Sequence, residues 1–179
     1  SPASNSYVTV DSNATPSDAY NEITSATGGS FSFWIKFLND DTSPIFTSSN
    51  GTQSNISNNA GWRIVKGSDR KLYLQWGATS GAYSDDNASY YRRVTAQNIL
   101  TSEVWYHVAI ITSFGHTGNT KIYINGIECD IKETGTHVFS GTSPEYNGTY
   151  SAAYIGYHIK LNDGGSPTQT YGDFHLRNF

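Results

Sequence analysis

The sequence predicts an all-β fold of two antiparallel sheets packed as a sandwich, and three observations predict it. One run alternates with period two, one Asn-Gly pair separates two further alternating runs, and no segment sustains a 3.6-residue apolar period. In the first, Phe31-Ser32-Phe33-Trp34-Ile35-Lys36-Phe37, strand geometry puts Phe31, Phe33, Ile35 and Phe37 on one face and Ser32, Trp34 and Lys36 on the other. That is the pattern of a half-buried antiparallel strand.

The Asn-Gly signal lies in Thr120-Lys121-Ile122-Tyr123-Ile124-Asn125-Gly126-Ile127-Glu128-Cys129-Asp130-Ile131. Asn125 and Gly126 suit the two positive-φ positions of a type I′ turn, whose twist matches that of the flanking strands. A second hairpin is expected at Gly67-Ser68-Asp69-Arg70, between Trp62/Ile64 and Leu72/Leu74/Trp76. Other strand candidates are Tyr7–Val10, Ile45–Ser48, Trp62–Lys66, Lys71–Trp76, Tyr90–Thr95, Trp105–Thr112, Lys121–Ile124, Ile127–Lys132, Ala153–His158 and Asp173–Phe179. Trp105–Ile111 is apolar on both faces apart from His107, as a central strand covered on both sides would be. More than ten short strands with closely spaced turns imply two packed sheets.

Length and composition fit this reading. The 179 residues suit a single domain, residues 1–179, because β-sandwiches of about this size fold around one core. Apolar residues make up 36% and charged residues 15%, the remainder being rich in Ser, Thr, Asn, Gly and Tyr, which favours strands and turns over helices. A net charge of -4, with Arg92-Arg93 as a basic doublet, gives no phosphate-binding footprint, so no nucleic-acid partner is expected. No run of about 18 apolar residues exists, so no membrane insertion is expected either. The single cysteine, Cys129, cannot form an internal disulfide. With Ser1 first and no methionine, the chain reads as a piece processed or excised from a longer one.

The order of segments resembles the laminin G-like domains of the concanavalin A-like lectin/glucanase superfamily. The matching pieces are Tyr7–Val10, the Phe-Ser-Phe-Trp-Ile-Lys strand at Phe31–Lys36, and a Gly-Trp-x-Ile hairpin leading to Lys-Leu-Tyr-Leu over Gly61–Leu74. They continue with Glu-Val-Trp-Tyr-His-Val-Ala at Glu103–Ala109, Lys-Ile-Tyr-Ile-Asn-Gly at Lys121–Gly126, Ala-Tyr-Ile-Gly at Ala153–Gly156 and Gly172–Phe179. The resemblance covers nearly the whole chain and implies a jelly-roll, concanavalin A-like sandwich. It implies function only broadly, since such domains serve adhesion, glycan binding and purely structural roles.

Three kinds of chemistry are weighed on that scaffold. Glu128-Cys129-Asp130-Ile131-Lys132-Glu133 looks like the Glu-x-Asp-x-x-Glu motif of related laminarinases, which align a nucleophile and an acid on one strand. Here it follows the Asn-Gly turn instead of preceding it, and Cys129 and Lys132 stand where aliphatic residues belong. The expected arrangement is therefore Ile127, Cys129 and Ile131 toward the core and Glu128, Asp130 and Lys132 toward water, with no catalytic residue. The five histidines, His107, His116, His137, His158 and His175, show no zinc spacing, and His107 reads as a satisfied sandwich histidine.

Calcium needs several converging oxygens, and members of the resembled family often carry such an ion. Asp40 and Asp41, and Asp85 and Asp86 with Asn87, are the donors best placed to hold one. Carbohydrate needs aromatic platforms beside planar hydrogen-bonding groups. Tyr83, Asp85, Asp86, Asn87, Tyr90, Tyr91 and Arg92 supply that mixture around the long stretch from Gly77 to Ser89, where strand character is weakest. Strand alternation turns Arg63, Tyr73 and Gln75 away from Leu72, Leu74 and Trp76, toward the same ligand.

The five Asn-x-Ser/Thr sequons, at Asn13, Asn50, Asn55, Asn87 and Asn147, barely exceed what 15 Asn and 42 Ser and Thr give by chance, so no glycosylation is inferred. The reading is a non-catalytic recognition or adhesion module for a glycan or glycoprotein on an extracellular, cell or virion surface. Its alternative is a structural block of a virion, fibre or matrix whose partners are neighbouring protein subunits. A glycoside hydrolase ranks third.

Overall fold

The computed structural model describes residues 8–10, 29–49, 61–77, 91–112, 120–134, 153–160 and 168–178. Every regular element among them is a strand. In chain order these are β1 Val8–Val10, β2 Gly29–Phe37, β3 Ser43–Ser49, β4 Gly61–Lys66, β5 Leu72–Gly77, β6 Tyr91–Ala96 and β7 Trp105–Thr112. They continue as β8 Lys121–Ile124, β9 Ile127–Glu128, β10 Ile131–Thr134, β11 Ala153–Ile155, β12 Tyr157–Lys160, β13 Thr168–Tyr171 and β14 Phe174–Arg177.

The strands form a seven-stranded sheet in the order β1-β11-β3-β4-β5-β6-β10, a five-stranded sheet in the order β14-β2-β7-β8-β9, and a separate β12-β13 hairpin that lies against β3. All pairings are antiparallel. The alternation in β2 is the organising pattern. Phe33, Ile35 and Phe37 are fully buried and Phe31 nearly so, in one cluster with Ile64, Leu72, Leu74, Val94 and Ala96 of the large sheet and Val108, Ile110, Ile122 and Ile124 of the small one. Phe46 joins the two layers, its ring 5.7 Å from that of Phe33 in an edge-on contact and 6.3 Å from that of Phe31.

The Asn-Gly turn takes the expected form, with φ of 52° at Asn125 and 80° at Gly126. It does more than reverse the chain. The Asn125 N–H donates to the carbonyl of His107 at 2.8 Å, and its side-chain Oδ1 accepts from the His107 N–H at 2.9 Å. One asparagine thus supplies both halves of a ladder pair and extends the β7-β8 pairing by one position.

Several expectations need correction. Ile127 is 70% exposed, although Cys129 is buried and Ile131 half-buried as expected. The reason is that β9 is a two-residue edge strand: Ile127 pairs with Ile124, and among the described residues no further strand pairs with β9. The stretch Ile127–Lys132 is also not one strand. The Cys129 N–H donates to Ile122 on the small sheet, the carbonyl of Asp130 accepts from Gln97 N–H beside the large sheet, and β10 then pairs with β6. The chain changes sheets across these two residues.

Likewise Ala153–His158 divides into β11 and β12 at Gly156, whose φ of 77° bends the chain. The strand β13 has too little apolar pattern to be recognised before the pairing with β12 is known. Finally, β7 is central within its sheet but not covered on both sides, since Ile111 is exposed and Trp105 and His107 are half-buried.

A methyl group at Gly126 would meet nothing within 4 Å, so Gly126→Ala tests backbone conformation alone and is expected to cost roughly 1 kcal/mol. Asn125→Ala loses both the left-handed preference and the side-chain bond to His107, and is expected to cost about 2 kcal/mol. Chemical denaturation of the two variants measures both, and Asn125→Ala should be the more damaging. Cys129, whose thiol burial pushes above its usual range, should react with thiol reagents only after unfolding, which timed labelling in native buffer and in denaturant checks.

Candidate functional site

Two outward faces carry the chemistry, one on each sheet. On the large sheet, backbone register sets Arg63 of β4 beside Gln75 of β5, and Gln75 beside Arg93 of β6. Thr47 of β3 continues the row beyond Arg63 and Thr134 of β10 beyond Arg93. These positions alternate with buried Ile64, Leu74 and Val94, so they belong to the side of the pleat away from the core. Two guanidinium-bearing residues and an amide-bearing one therefore stand on adjacent strands, about 4.8 Å apart between neighbours. Thr47 is buried, and its Oγ1 has no hydrogen-bond partner among the described residues.

Two residues along from Gln75 and Arg93, Gly77 pairs with Tyr91, and residues 78–90 join those two positions. Tyr83, Asp85, Asp86, Asn87 and Tyr90 lie outside the described residues. The register separates the basic doublet. Arg92 pairs with Trp76 and shares its side of the pleat with Val94, whereas Arg93 stands in the row with Gln75. That distinction was open to the sequence through the parity of Arg92-Arg93-Val94. Tyr73 has a local role: its ring rests against Gly67 and its hydroxyl donates to Asp69 Oδ2 at 2.5 Å, clamping the β4-β5 turn.

The outward face of the small sheet was not singled out from sequence. Arg177, Trp34 and His107 align across β14, β2 and β7, and His175, Lys36 and Trp105 form the next row. The rings of Trp34 and His107 lie 5.2 Å apart, and His107 Nε2 shares a hydrogen bond with Ser32 Oγ at 2.9 Å. The Arg177 guanidinium sits 4.4 Å from the centre of the Trp105 ring, with His175 at 6.4 Å from the same indole. Lys36 Nζ donates to Glu103 Oε2 at 2.7 Å. The usable signal was the outward parity of Ser32, Trp34 and Lys36, which repeats in Trp105/His107 and in His175/Arg177.

Two packed antiparallel sheets with this strand order agree with a family model described as the concanavalin A-like lectin/glucanases superfamily, Laminin_G_3, which matches residues 2–169. The chain belongs to that laminin G-like family. No curated protein matches it. Among solved structures it is similar to a carbohydrate-binding module, CBM40, of the Ruminococcus gnavus IT-sialidase, solved bound to α2,3 sialyllactose. Identity there is 10%, TM-score 0.52, with 83% of this chain and 74% of that one covered. It is also similar to a native heptameric SAP-like pentraxin from Limulus polyphemus, at 18% identity and TM-score 0.46, with 82% of this chain covered. It spans 59% of the pentraxin chain. These likenesses are of fold.

In this laminin G-like chain the acidic motif cannot act as one constellation, because Glu128 belongs to the small sheet and Glu133, on β10, to the large one. Glu128 is exposed and accepts from Lys121 Nζ and from the Tyr123 hydroxyl, both at 3.1 Å. Those two donors hold its carboxyl below the usual range.

Of the expected calcium donors, Asp40 and Asp41 lie among the described residues. The carbonyl of Asp41 accepts from Lys66 Nζ at 2.5 Å, and Asp40 Oδ2 lies 3.9 Å from the Arg70 guanidinium. Among the described residues no three His, Cys, Asp or Glu converge on a common point. Asp85 and Asp86 lie outside them.

Lys66 is itself buried, on the inward side of β4, with its ammonium 5.1 Å from the centre of the Phe37 ring. Burial pulls its pKa below the ordinary lysine range, and the carboxylates of Asp40, Asp41 and Asp69 only partly oppose this. The unfolded chain therefore holds this proton more tightly than the folded one, and the Lys66 contribution to stability grows as pH rises toward the ordinary lysine value. Lys66→Met keeps the stem and removes the buried charge. The variant is expected to melt at or above the parent at neutral pH, and the parent should gain on it as pH is raised, which paired thermal unfolding curves measure.

Proposed function

We propose that this laminin G-like chain is a non-catalytic glycan-recognition module, a single domain working on an extracellular, cell or virion surface. The observation that carries the reading is the outward row Arg63–Gln75–Arg93 on the large sheet, which ends two residues from the Gly77–Tyr91 pair. Planar amide and guanidinium groups suit the vicinal hydroxyls of a sugar, and nearby tyrosines suit its C–H face. The proposed binding residues are Arg63, Gln75, Tyr83, Asp85, Asp86, Asn87, Tyr90 and Tyr91, with Tyr73 bracing the neighbouring turn and Arg93, in the row with Gln75, in place of Arg92, whose position falls on the Val94 side.

The fold it shares with a CBM40 module bound to sialyllactose supports the choice of a sugar-like ligand. The separation of Glu128 from Glu133 supports binding over hydrolysis. Binding of the whole chain to a printed glycan panel is the test. Tyr83→Ala, Asp86→Ala and Tyr91→Ala are each expected to weaken the selected glycan roughly tenfold with the melting midpoint nearly unchanged. Absence of binding to any glycan, together with self-association by sedimentation, would replace this reading with the structural one, in which the partners are neighbouring subunits.

A further inference from the structure

The second outward face is built differently from the first, and the recognition reading above assigns it no role. Six side chains from three adjacent strands meet there: Trp34, Lys36, Trp105, His107, His175 and Arg177. Trp34 is 41% exposed, whereas the neighbouring Phe31, Phe33, Phe37 and Phe46 are buried in the core. Its ring is steadied by His107, which is held from below by Ser32 and from its backbone by Asn125. The second indole, Trp105, carries the Arg177 guanidinium over its face. The platform is thus pre-ordered by contacts within the sheet, and little side-chain freedom remains to be lost on binding.

Its charge also runs against the rest of the protein. The whole chain has a net charge of -4, yet this face holds three permanent cations, Lys36, Lys121 and Arg177, and two imidazoles against the carboxylates of Glu103 and Glu128. Glu103 pairs with Lys36 and Glu128 with Lys121, so the guanidinium of Arg177 is the charge presented outward. An exposed indole beside an exposed guanidinium fits a ligand with an apolar C–H face and a carboxylate on the same small ring. A neutral sugar would leave the cation unanswered, and a simple anion would leave the indole so.

We propose that the outer face of the five-stranded sheet is a second binding site, taking an acidic saccharide whose pyranose ring stacks on Trp34 and whose carboxylate is received by Arg177. The site lies on the opposite side of the sandwich from the Arg63–Gln75–Arg93 row and stands whether or not that row binds a glycan.

The test is titration calorimetry of the whole chain with a uronic-acid oligosaccharide and with the same oligosaccharide after its carboxyl groups have been reduced to alcohols. The acidic form is expected to bind, and the reduced form to bind at least tenfold more weakly. Trp34→Ala and Arg177→Gln should each weaken the acidic form roughly tenfold, and Arg177→Lys, which keeps charge but loses the planar fork, should fall between. Arg177 is exposed at the sheet edge, so its two variants decide the matter even if Trp34→Ala does not fold. Tyr83→Ala and Tyr91→Ala should leave this titration unchanged, which separates failure here from failure of the other face. Equal binding of the two saccharides would overturn the proposal. So would binding that survives both Arg177 variants, or binding that Trp34→Ala leaves intact and moderate salt abolishes.

Discussion

Burying one side of β2 is the constraint from which the other positions follow. Phe31, Phe33, Ile35 and Phe37 remove four large side chains from water at alternate positions, each worth about 1.5–3 kcal/mol when fully buried. Because the pleat has period two, the same strand must present Ser32, Trp34 and Lys36 outward. A slip of one residue would expose every phenylalanine, so register across β14-β2-β7 is pinned by the core. The outer aromatic and basic band is pinned with it. The band is the reverse side of the core and inherits its precision.

The same logic orders the large sheet, where Ile64, Leu74 and Val94 fix the inward parity and thereby place Arg63, Gln75 and Arg93 on one outward row. The two faces nevertheless differ in kind. The row combines amide and guanidinium residues without an indole, whereas the small sheet offers indoles flanked by cations. Lys66 is an exception to the parity, a charged residue on an inward position. Its ammonium reaches the carbonyl of Asp41 at the end of the sandwich and ties the turn after β2 to β4, the kind of crosslink a bound cation gives elsewhere.

What was legible in the sequence was whatever local pattern determines. The alternation of Phe31–Phe37 and the Asn125-Gly126 turn emerge as read, because period and turn chemistry are properties of a few adjacent residues. What was not legible depends on where a sheet ends. Ile127 has the parity of a core residue and is exposed because β9 is the edge of the described sheet. The change of sheet at Cys129-Asp130 turns on hydrogen bonds to Ile122 and Gln97, partners distant in sequence. Of the candidate site, strand parity alone gave Arg63, Tyr73 and Gln75 positions that alternate with Ile64, Leu72 and Leu74. The hydrogen bond of Tyr73 to Asp69 and the meeting of Trp34, Trp105 and Arg177 were not legible, since the latter needs the order β14-β2-β7.

The two outermost described strands of the chain, β1 and β14, are both edge strands, one on each sheet. The first is held by a ladder of three residue pairs to β11 and the last by four pairs to β2. A pulling force applied through these two strands would therefore load opposite layers of the sandwich. The three-pair ladder is the shorter of the two and would give way first, leaving β2 and β7 paired. Such a domain lengthens under tension by shedding its margin while the layer bearing Trp34 and Trp105 keeps its shape.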